Sequence, residues 1–175
     1  MIVGVSGPIG AGKTTVCNIF VKKGFRYVSL SDILREECRK RGLEVNRENL
    51  RKLGDDLRRE LGKAALAVLA HERMQEGNWV VDSIRVPEEV QFLKSKGAHT
   101  IGVIAPLEIR YERVMERKRD GSMDLKEFEE VDRHDRSLGI DDILRDADYI
   151  IVNDGTLEEL ESNVENLISL LSQTP

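Results

Sequence analysis

The chain has 175 residues, a length typical of one α/β domain, and its 40% of hydrophobic residues can form a core, which argues against global disorder. Its net charge of −5 provides no overall basic field, so we expect no general nucleic-acid binding. No apolar run has the length of a membrane span and there is no signal-peptide pattern, so we expect a soluble cytoplasmic protein without membrane contact. Cys17 and Cys38 lack metal-type spacing, and a reducing compartment fits them best.

The first predicted elements surround a glycine-rich loop. A short apolar run, Ile2 to Val5, is typical of a buried strand, and the apolar spacing from Thr14 to Lys23 predicts a helix that starts near Lys13. Strand, glycine loop and helix N-terminus together form an anion site, because backbone N–H groups and the helix dipole point at one place. The loop fits the phosphate-binding motif G-x-x-x-x-G-K-[ST] and predicts ATP binding by Gly7, Pro8, Ile9, Gly10, Ala11, Gly12, Lys13, Thr14 and Thr15.

Four more strands alternate with helices along the rest of the chain. The second strand is predicted at Arg26–Leu30, with Ser31 and Asp32 as the N-cap pair of the next helix, and Asn46 begins a helical region that reaches Glu76. Gly54 and Gly62 mark breaks or close packing within that region. The remaining strands are predicted at Trp79–Val81, ending at Asp82, at Thr100–Ala105 and at Tyr149–Val152. The remaining helices are predicted from Pro87, at Leu107–Arg119, through Phe128 to Arg136, and after a Thr156–Glu159 capping box.

This alternation predicts an α/β protein with a three-layer P-loop NTPase fold and a five-stranded parallel sheet. We expect one domain over residues 1–175, with a helical acceptor-binding insert at 31–76 and a short helical lid at 113–137. Ligands of such sheets bind beyond the carboxyl ends of the strands, so the residues that follow each strand are the functional candidates.

Charged residues follow the second and third predicted strands. Asp82 stands where a carboxylate would hold Mg²⁺ together with Thr14, although an N-cap role is the alternative. Arg35 and Arg85 each lie three residues after an aspartate that ends a strand. Because guanidinium groups bind phosphate through two hydrogen bonds, this pair predicts a site for a phosphate monoester.

A second group of arginines lies on two consecutive helical stretches. Arg110, Arg113 and Arg117 share one helix face, and Arg133 and Arg136 follow on the next stretch. One interpretation is a helical lid, with Gly121 as its hinge, that surrounds the transferring phosphoryl group with positive charge. The other is a surface hairpin that pairs these arginines with neighbouring acids; His134, between Arg133 and Asp135, is interpreted as a surface residue that could touch the substrate.

The motifs together resemble the adenylate kinase and nucleoside monophosphate kinase group, and within it an archaeal adenylate-kinase-related family. The resemblance rests on the P-loop, on Asp32-Ile33-Leu34-Arg35, on Asp82-Ser83-Ile84-Arg85 and on Glu112-Arg113-Val114-Met115-Glu116-Arg117. The P-loop and the segments 147–149 and 153–155 are also similar to dephospho-coenzyme A kinase.

The resemblance implies a role for each matched residue. Asp32, Arg35 and Arg85 would bind the acceptor, and Lys13, Arg117, Arg133 and Arg136 would be catalytic. Arg58, in the predicted insert, is a further candidate for acceptor binding. Arg113, Asn153 and Gly155 would contact the donor nucleotide. The third-strand segment is one residue shorter than in adenylate kinase, and the glutamine that reads the acceptor adenine has no clear counterpart, although Glu89 falls near its place.

The predicted function is ATP- and Mg²⁺-dependent phosphoryl transfer to a small nucleotide or nucleotide-like acceptor, most readily a nucleoside monophosphate, by a monomer or small homo-oligomer. One alternative is a dephospho-coenzyme A kinase-like reaction, in which Asp32 would be the general base for a ribose hydroxyl. Another is a nucleotide-dependent assembly factor or switch with slow hydrolysis and a macromolecular partner.

Overall fold

A computed structural model describes residues 1–116 and 123–173 of the chain. Its five strands form one all-parallel sheet in the order β2-β3-β1-β4-β5. The strands are β1 (Ile2–Ser6), β2 (Arg26–Ser29), β3 (Trp79–Ile84), β4 (Ala98–Ile104) and β5 (Tyr149–Val152). The helices of the described residues are α1 (Lys13–Lys22), α2 (Leu30–Lys40), α3 (Arg47–Leu61), α4 (Ala65–Arg73), α5 (Pro87–Ser95), α6 (Leu107–Glu116), α7 (Leu125–Leu138), α8 (Ile140–Arg145) and α9 (Leu157–Leu171).

Helices cover both faces of the sheet, which gives the predicted three-layer α/β fold. On one face α1 and α9 pack against the sheet around Phe20 and Val164. On the other face α2, α3, α4, α5 and α8 pack around Leu30, Leu57 and Leu93. Neighbouring residues of β3 serve opposite cores, since Val80 faces the first and Val81 the second. The central strands are therefore buried on both sides, as their continuous apolar sequence requires.

Several local predictions from the sequence are confirmed. Asn46 caps α3 through its side chain, Pro87 occupies the first turn of α5, and β5 has the predicted bounds. The Thr156–Glu159 capping box opens α9, whose apolar stripe faces the core. Gly62 ends α3, whereas Gly54 lies inside it.

The predicted start of α2 is wrong by two residues. Ser29, and not Ser31 or Asp32, is the N-cap, because its hydroxyl accepts a hydrogen bond from Asp32 N at 3.3 Å. Leu30 consequently belongs to the helix, where it is buried. The helix α8 was missed altogether, since its six residues follow α7 after the single turn residue Gly139.

The predicted end of β3 at Asp82 is also wrong, because the strand continues to Ile84. Its pairing with β1 shifts register between Gly4 and Ser6, so β3 accommodates one extra residue there. Ser83 lies in this irregularity with a positive φ of 67°, and the Ser6 hydroxyl donates to Ile84 O at 2.7 Å just beyond it. The polar residues thus lie within the strand and are accommodated by a bulge.

None of the helices within residues 1–116 and 123–173 is both long enough and apolar enough to cross a bilayer.

The backbone of Ser83 provides a test of this strand geometry. A residue with a Cβ pays about 1 kcal/mol in the left-handed region, so Ser83→Gly should raise the melting temperature by roughly 2–4 °C. The control is Ser162→Gly, at an exposed position of α9, where glycine should lower stability by about 0.5 kcal/mol. Thermal unfolding of both variants measures the two effects, and equal losses would contradict a strained Ser83.

Candidate active site

The loop between β1 and α1 has the backbone that a phosphate site requires. Gly10 and Gly12 have φ angles of 77° and 99°, in the left-handed region that favours glycine. There is also no room for side chains, because a Cβ on Gly10 would collide with Arg110 O and one on Gly12 with the Asn153 amide nitrogen. Glycine at both positions lets the loop curl so that its backbone can surround an anion at the start of α1.

Lys13 lies over this loop. Its Nζ donates hydrogen bonds to Gly7 O at 2.7 Å and to Pro8 O at 3.0 Å. Burial lowers the pKa of Lys13, while the carboxylates of Asp82 and Asp135 act in the opposite direction. Thr14 and Thr15 follow in the first turn of α1, where backbone N–H groups have no partner within the helix.

Asp82 is a buried carboxylate beside the loop. It is 1% exposed, and its Oδ2 accepts hydrogen bonds from the Thr14 hydroxyl at 3.2 Å and the Tyr27 hydroxyl at 2.9 Å. Its Oδ1 is buried without a hydrogen-bond partner among the described residues. A buried carboxylate oxygen next to a threonine hydroxyl fits Mg²⁺, which binds to one or two protein oxygens together with substrate phosphates.

No group of three or more histidine, cysteine or acidic side chains with metal-binding geometry occurs within the described part of the chain. A metal ion at Asp82 would therefore depend on the nucleotide phosphates for its remaining ligands.

Two of the three candidate donor-nucleotide residues lie at Ala11. Asn153 donates from its side-chain nitrogen to Ala11 O at 2.9 Å, and Arg113 approaches Ala11 O and the Asn153 side-chain oxygen, each at 3.5 Å. The third, Gly155, lines a concavity of about 380 Å³ between β5 and α9 together with Asn153. Asn153 at the end of β5 and Arg113 on α6 thus lie beside the loop, and Gly155 lies in the neighbouring concavity.

A larger cavity of about 470 Å³ opens next to the carboxyl end of β3. It lies between the insert helices α2, α3 and α4 on one side and α7 on the other, and its wall combines leucines with charged groups. Arg35, Arg58 and Arg85, three of the four predicted acceptor residues, line it together with Arg47, Arg51, Ser83 and His134.

Carboxylates hold most of these arginines. Arg85 donates to the buried Asp135 at 2.9 Å, Arg35 to Asp32 at 3.1 Å, and Arg47 pairs with Glu127 at 3.1 Å. Asp32, the fourth predicted acceptor residue, is not part of the cavity wall, and its side chain is 48% exposed. Three of the predicted acceptor residues therefore lie in an arginine-rich cavity with its own counter-charges.

The predicted lid arginines have different surroundings. Arg110 is buried and donates to Ile9 O at 3.1 Å and to Asp132 at 2.7 Å, so it fastens α6 and α7 to the P-loop. Arg136 donates to Asp132 and Asp141 at the surface, as the surface-hairpin interpretation expects. Arg133 is exposed.

The proposed hinge Gly121 and the catalytic candidate Arg117 lie outside the described residues.

Sequence reasoning missed several residues of this site. Tyr27 was placed in a strand without a role, yet it donates to Asp82, and burial next to that carboxylate raises its pKa. Asp135 was considered only as a surface partner of neighbouring arginines, although its side chain is buried. The available sequence signal for the cavity wall was the recurrence of arginines after one or two turns of α3, at Arg47, Arg51 and Arg58.

Two further expectations change. His134 is half-buried in the cavity wall, not a surface residue, and burial lowers its pKa. Glu89, near the place of the base-reading glutamine, is fully buried and binds backbone N–H groups, so it does not read a base.

Comparisons with known proteins agree with this architecture. A family model described as "AAA domain" matches residues 6–132. A UPF0200 protein of Aeropyrum pernix is 40% identical over 92% of this chain and 88% of its own. A UPF0200 protein of Thermococcus kodakarensis is 39% identical over 96% of both chains.

Solved structures of kinases share the fold. Shikimate kinase from Acinetobacter baumannii, in complex with shikimate, superposes with a TM-score of 0.65 at 21% identity, over 99% of this chain and 95% of the other. Dephospho-CoA kinase from Campylobacter jejuni gives 0.61 at 18% identity, over 98% and 97%. The fold is therefore that of P-loop kinases, and the finer likeness to adenylate kinase stays a prediction.

The unpartnered oxygen of Asp82 predicts a selective effect on metal-dependent binding. In Asp82→Asn the apo protein should keep its stability within about 1 kcal/mol, because a buried charge is removed while both hydroxyl contacts can persist. Mg²⁺ should then no longer tighten the binding of an ATP analogue, as measured by calorimetry with and without Mg²⁺.

The control is Asp148→Asn, which alters a carboxylate fully engaged with Lys94 and Thr100. It should cost stability but preserve the Mg²⁺ effect. An unchanged Mg²⁺ effect in Asp82→Asn would contradict the metal role.

Proposed function

Since this chain belongs to the UPF0200 proteins and to the family whose model is described as "AAA domain", we propose that it is a P-loop kinase acting on a small phosphorylated acceptor. It transfers the terminal phosphoryl group of ATP, with Mg²⁺, and the acceptor class is a nucleoside monophosphate. The observation that carries this proposal is the arginine-lined cavity at the carboxyl end of β3, the strand next to the P-loop strand β1.

The donor half of the reaction rests on the P-loop. Its backbone N–H groups and the start of α1 bind the ATP phosphates, and Lys13 neutralises their charge. Arg113 and Asn153 lie beside Ala11, where they contact the nucleoside part of ATP. When bound by Thr14 and Asp82, Mg²⁺ supplies charge neutralisation at the phosphate oxygens.

The acceptor half rests on three arginines from different elements. Arg35 comes from α2, Arg58 from α3, and Arg85 from the turn after β3. Arg85 and Lys13 both lie in the field of Asp135, which links the acceptor cavity to the P-loop. A phosphate held by Arg85 is thus oriented towards the donor phosphates, and positioning of this kind is the main work of a phosphotransferase.

The leucine side chains of the same wall suit the uncharged body of a nucleotide. Leu30, Leu34, Leu50 and Leu66 contribute from α2, α3 and α4. The phosphate end of a nucleotide suits the arginines of the wall, and its uncharged body suits the leucines. A small hydroxy acid would leave the leucines without a partner.

A hydroxyl acceptor is less well supported. It requires a general base, and the candidate Asp32 is ion-paired to Arg35 and not part of the cavity wall.

The direct test is an acceptor screen. ATP and Mg²⁺ are incubated with each nucleoside monophosphate and with dephospho-coenzyme A, and ADP and the phosphorylated product are both quantified. Equal amounts of ADP and nucleoside diphosphate are expected. ADP without any phosphorylated acceptor would favour a hydrolytic switch and contradict the proposal.

Lys13→Ala should reduce turnover by at least about 100-fold, because a cation that neutralises phosphate charge in the transition state is lost. Its fold should persist, since within the described residues the hydrogen bonds of the ammonium group go to two loop carbonyls. Lys22→Ala, an exposed lysine of the same helix paired with Glu161, is the control and should keep full turnover. Turnover of Lys13→Ala near that of the control would contradict the P-loop role.

Arg35→Ala should raise the KM for the acceptor by about 10- to 150-fold, because one or more charge-assisted hydrogen bonds of about 1.5–3 kcal/mol are lost. The KM for ATP should stay constant. The matched control is Arg59→Ala, which removes an exposed arginine paired with Asp56 on the outside of α3. Steady-state kinetics with each substrate varied in turn separates the two effects, and a change in ATP KM alone would reverse the assignment of the two sites.

A further inference from the structure

Glu89 is a fully buried acid in the first turn of α5, and neither the P-loop nor the cavity wall includes it. Its Oε2 accepts hydrogen bonds from the backbone N–H groups of Arg85 at 2.9 Å and Val86 at 3.3 Å. The carboxylate therefore fixes the backbone from which the Arg85 side chain enters the cavity.

The other oxygen of Glu89 faces the insert helix α3. Arg58 Nη2 lies 3.7 Å from Oε1, and the Arg58 side chain, 11% exposed, lines the cavity. Neither Glu89 Oε1 nor Arg58 Nε has a hydrogen-bond partner among the described residues, although both atoms are buried. Burial raises the pKa of Glu89, and the charge of Arg58 opposes that rise.

Helix capping does not explain this burial. The bond from the N-cap backbone N–H to the glutamate carboxylate also opens α7 with Glu127 and α9 with Glu159, and both of those glutamates make their contacts at the exposed surface. A cap can thus be formed without the cost of burying a charge. What distinguishes Glu89 is that it touches two elements, each of which supplies a cavity arginine.

Gly54 is a second feature of the structure that accommodates the Arg58 side chain. It lies inside α3, where glycine is unfavourable, and it lines the cavity. A Cβ at this position would lie 3.3 Å from Arg58 Nη1 and 3.5 Å from Leu34 Cδ2. The missing side chain therefore leaves room for the guanidinium group, whose Nη2 lies 3.7 Å from Glu89 Oε1.

We propose that Glu89 is a positioning residue that aligns Arg58 and Arg85 as a preformed pair for the phosphate group of the acceptor. The proposal rests on the proposed function, because it assigns both arginines to acceptor binding. Through one carboxylate, the insert helix α3 and the turn after β3 are held at a fixed spacing, so the two guanidinium groups need little reorganisation when a phosphate binds.

The test compares Glu89→Gln with Glu88→Gln. Glu88 is the preceding residue of the same helical turn, but it pairs with Lys63 at the surface. Inorganic phosphate is the probe, and it is titrated by calorimetry in the presence of Mg²⁺ and a non-hydrolysable ATP analogue, so that the P-loop is already filled. Phosphate affinity should fall about tenfold in Glu89→Gln, while affinity for the ATP analogue and the phosphate affinity of Glu88→Gln stay at the wild-type values.

In turnover assays Glu89→Gln should raise the KM for the acceptor and keep kcat within about twofold of wild type. A purely structural glutamate would instead lower the melting temperature and leave phosphate affinity unchanged, and that result would overturn the proposal. Phosphate affinity is measured without turnover. If the wild-type protein transferred no phosphoryl group, that result would contradict the proposed function, and the phosphate affinities of the variants could still be compared.

Gly54→Ala keeps the test possible if Glu89→Gln does not fold. Alanine favours the helix, so the variant should melt higher than wild type, while its methyl group, 3.3 Å from Arg58 Nη1, requires the guanidinium group to shift by a few tenths of an ångström. Phosphate affinity should fall about threefold. A stabilised Gly54→Ala with wild-type phosphate affinity would contradict the role assigned to the position of Arg58.

Discussion

Buried carboxylates paired with cations organise the end of the sheet where β1 and β3 lie side by side. Asp82, Glu89 and Asp135 are each nearly inaccessible to solvent. Removing a carboxylate from water is costly unless a cation or several donors replace the solvent. In this protein Arg58 approaches Glu89, Arg85 binds Asp135, and the field of Asp82 reaches Lys13. The cationic side chains at this end of the sheet are therefore held in place by carboxylates of the protein itself.

The order of the strands explains how residues distant in sequence meet at this place. β1 lies between β3 and β4, so the P-loop that follows β1 emerges next to Asp82 and the turn at Arg85. β5 lies beyond β4 and brings Asn153 to Ala11. The insert helices and α7 then enclose the arginine-lined cavity. The residues beside the P-loop and those of the cavity thus come from different crossovers of one parallel sheet, at the edge where ligands of such sheets bind.

Patterns with strong local rules were readable from the sequence. The P-loop, the alternation of strands and helices and the capping box of α9 each depend on residues close together in the chain, and the structure agrees with them. The bulge at Ser83 depends on pairing with β1, which sequence patterns do not encode, so β3 was predicted too short.

The missed site residues share a similar cause. Tyr27 and Asp135 gain their roles only from partners 55 and 50 residues away, Asp82 and Arg85. Local periodicity could place Arg47 and Arg51 on the cavity face of α3, but it could not show that α7 stands opposite that face.

We propose that the P-loop and the arginine cavity are two halves of one site. Hydrogen exchange with a bisubstrate analogue, in which adenosine and a second nucleoside are joined by a polyphosphate, would reveal such a shared site. The analogue should bind more tightly than ATP and protect the P-loop and the cavity-facing amides of α3 and α7 at the same time. Protection confined to the P-loop, with affinity no better than that of ATP, would contradict it.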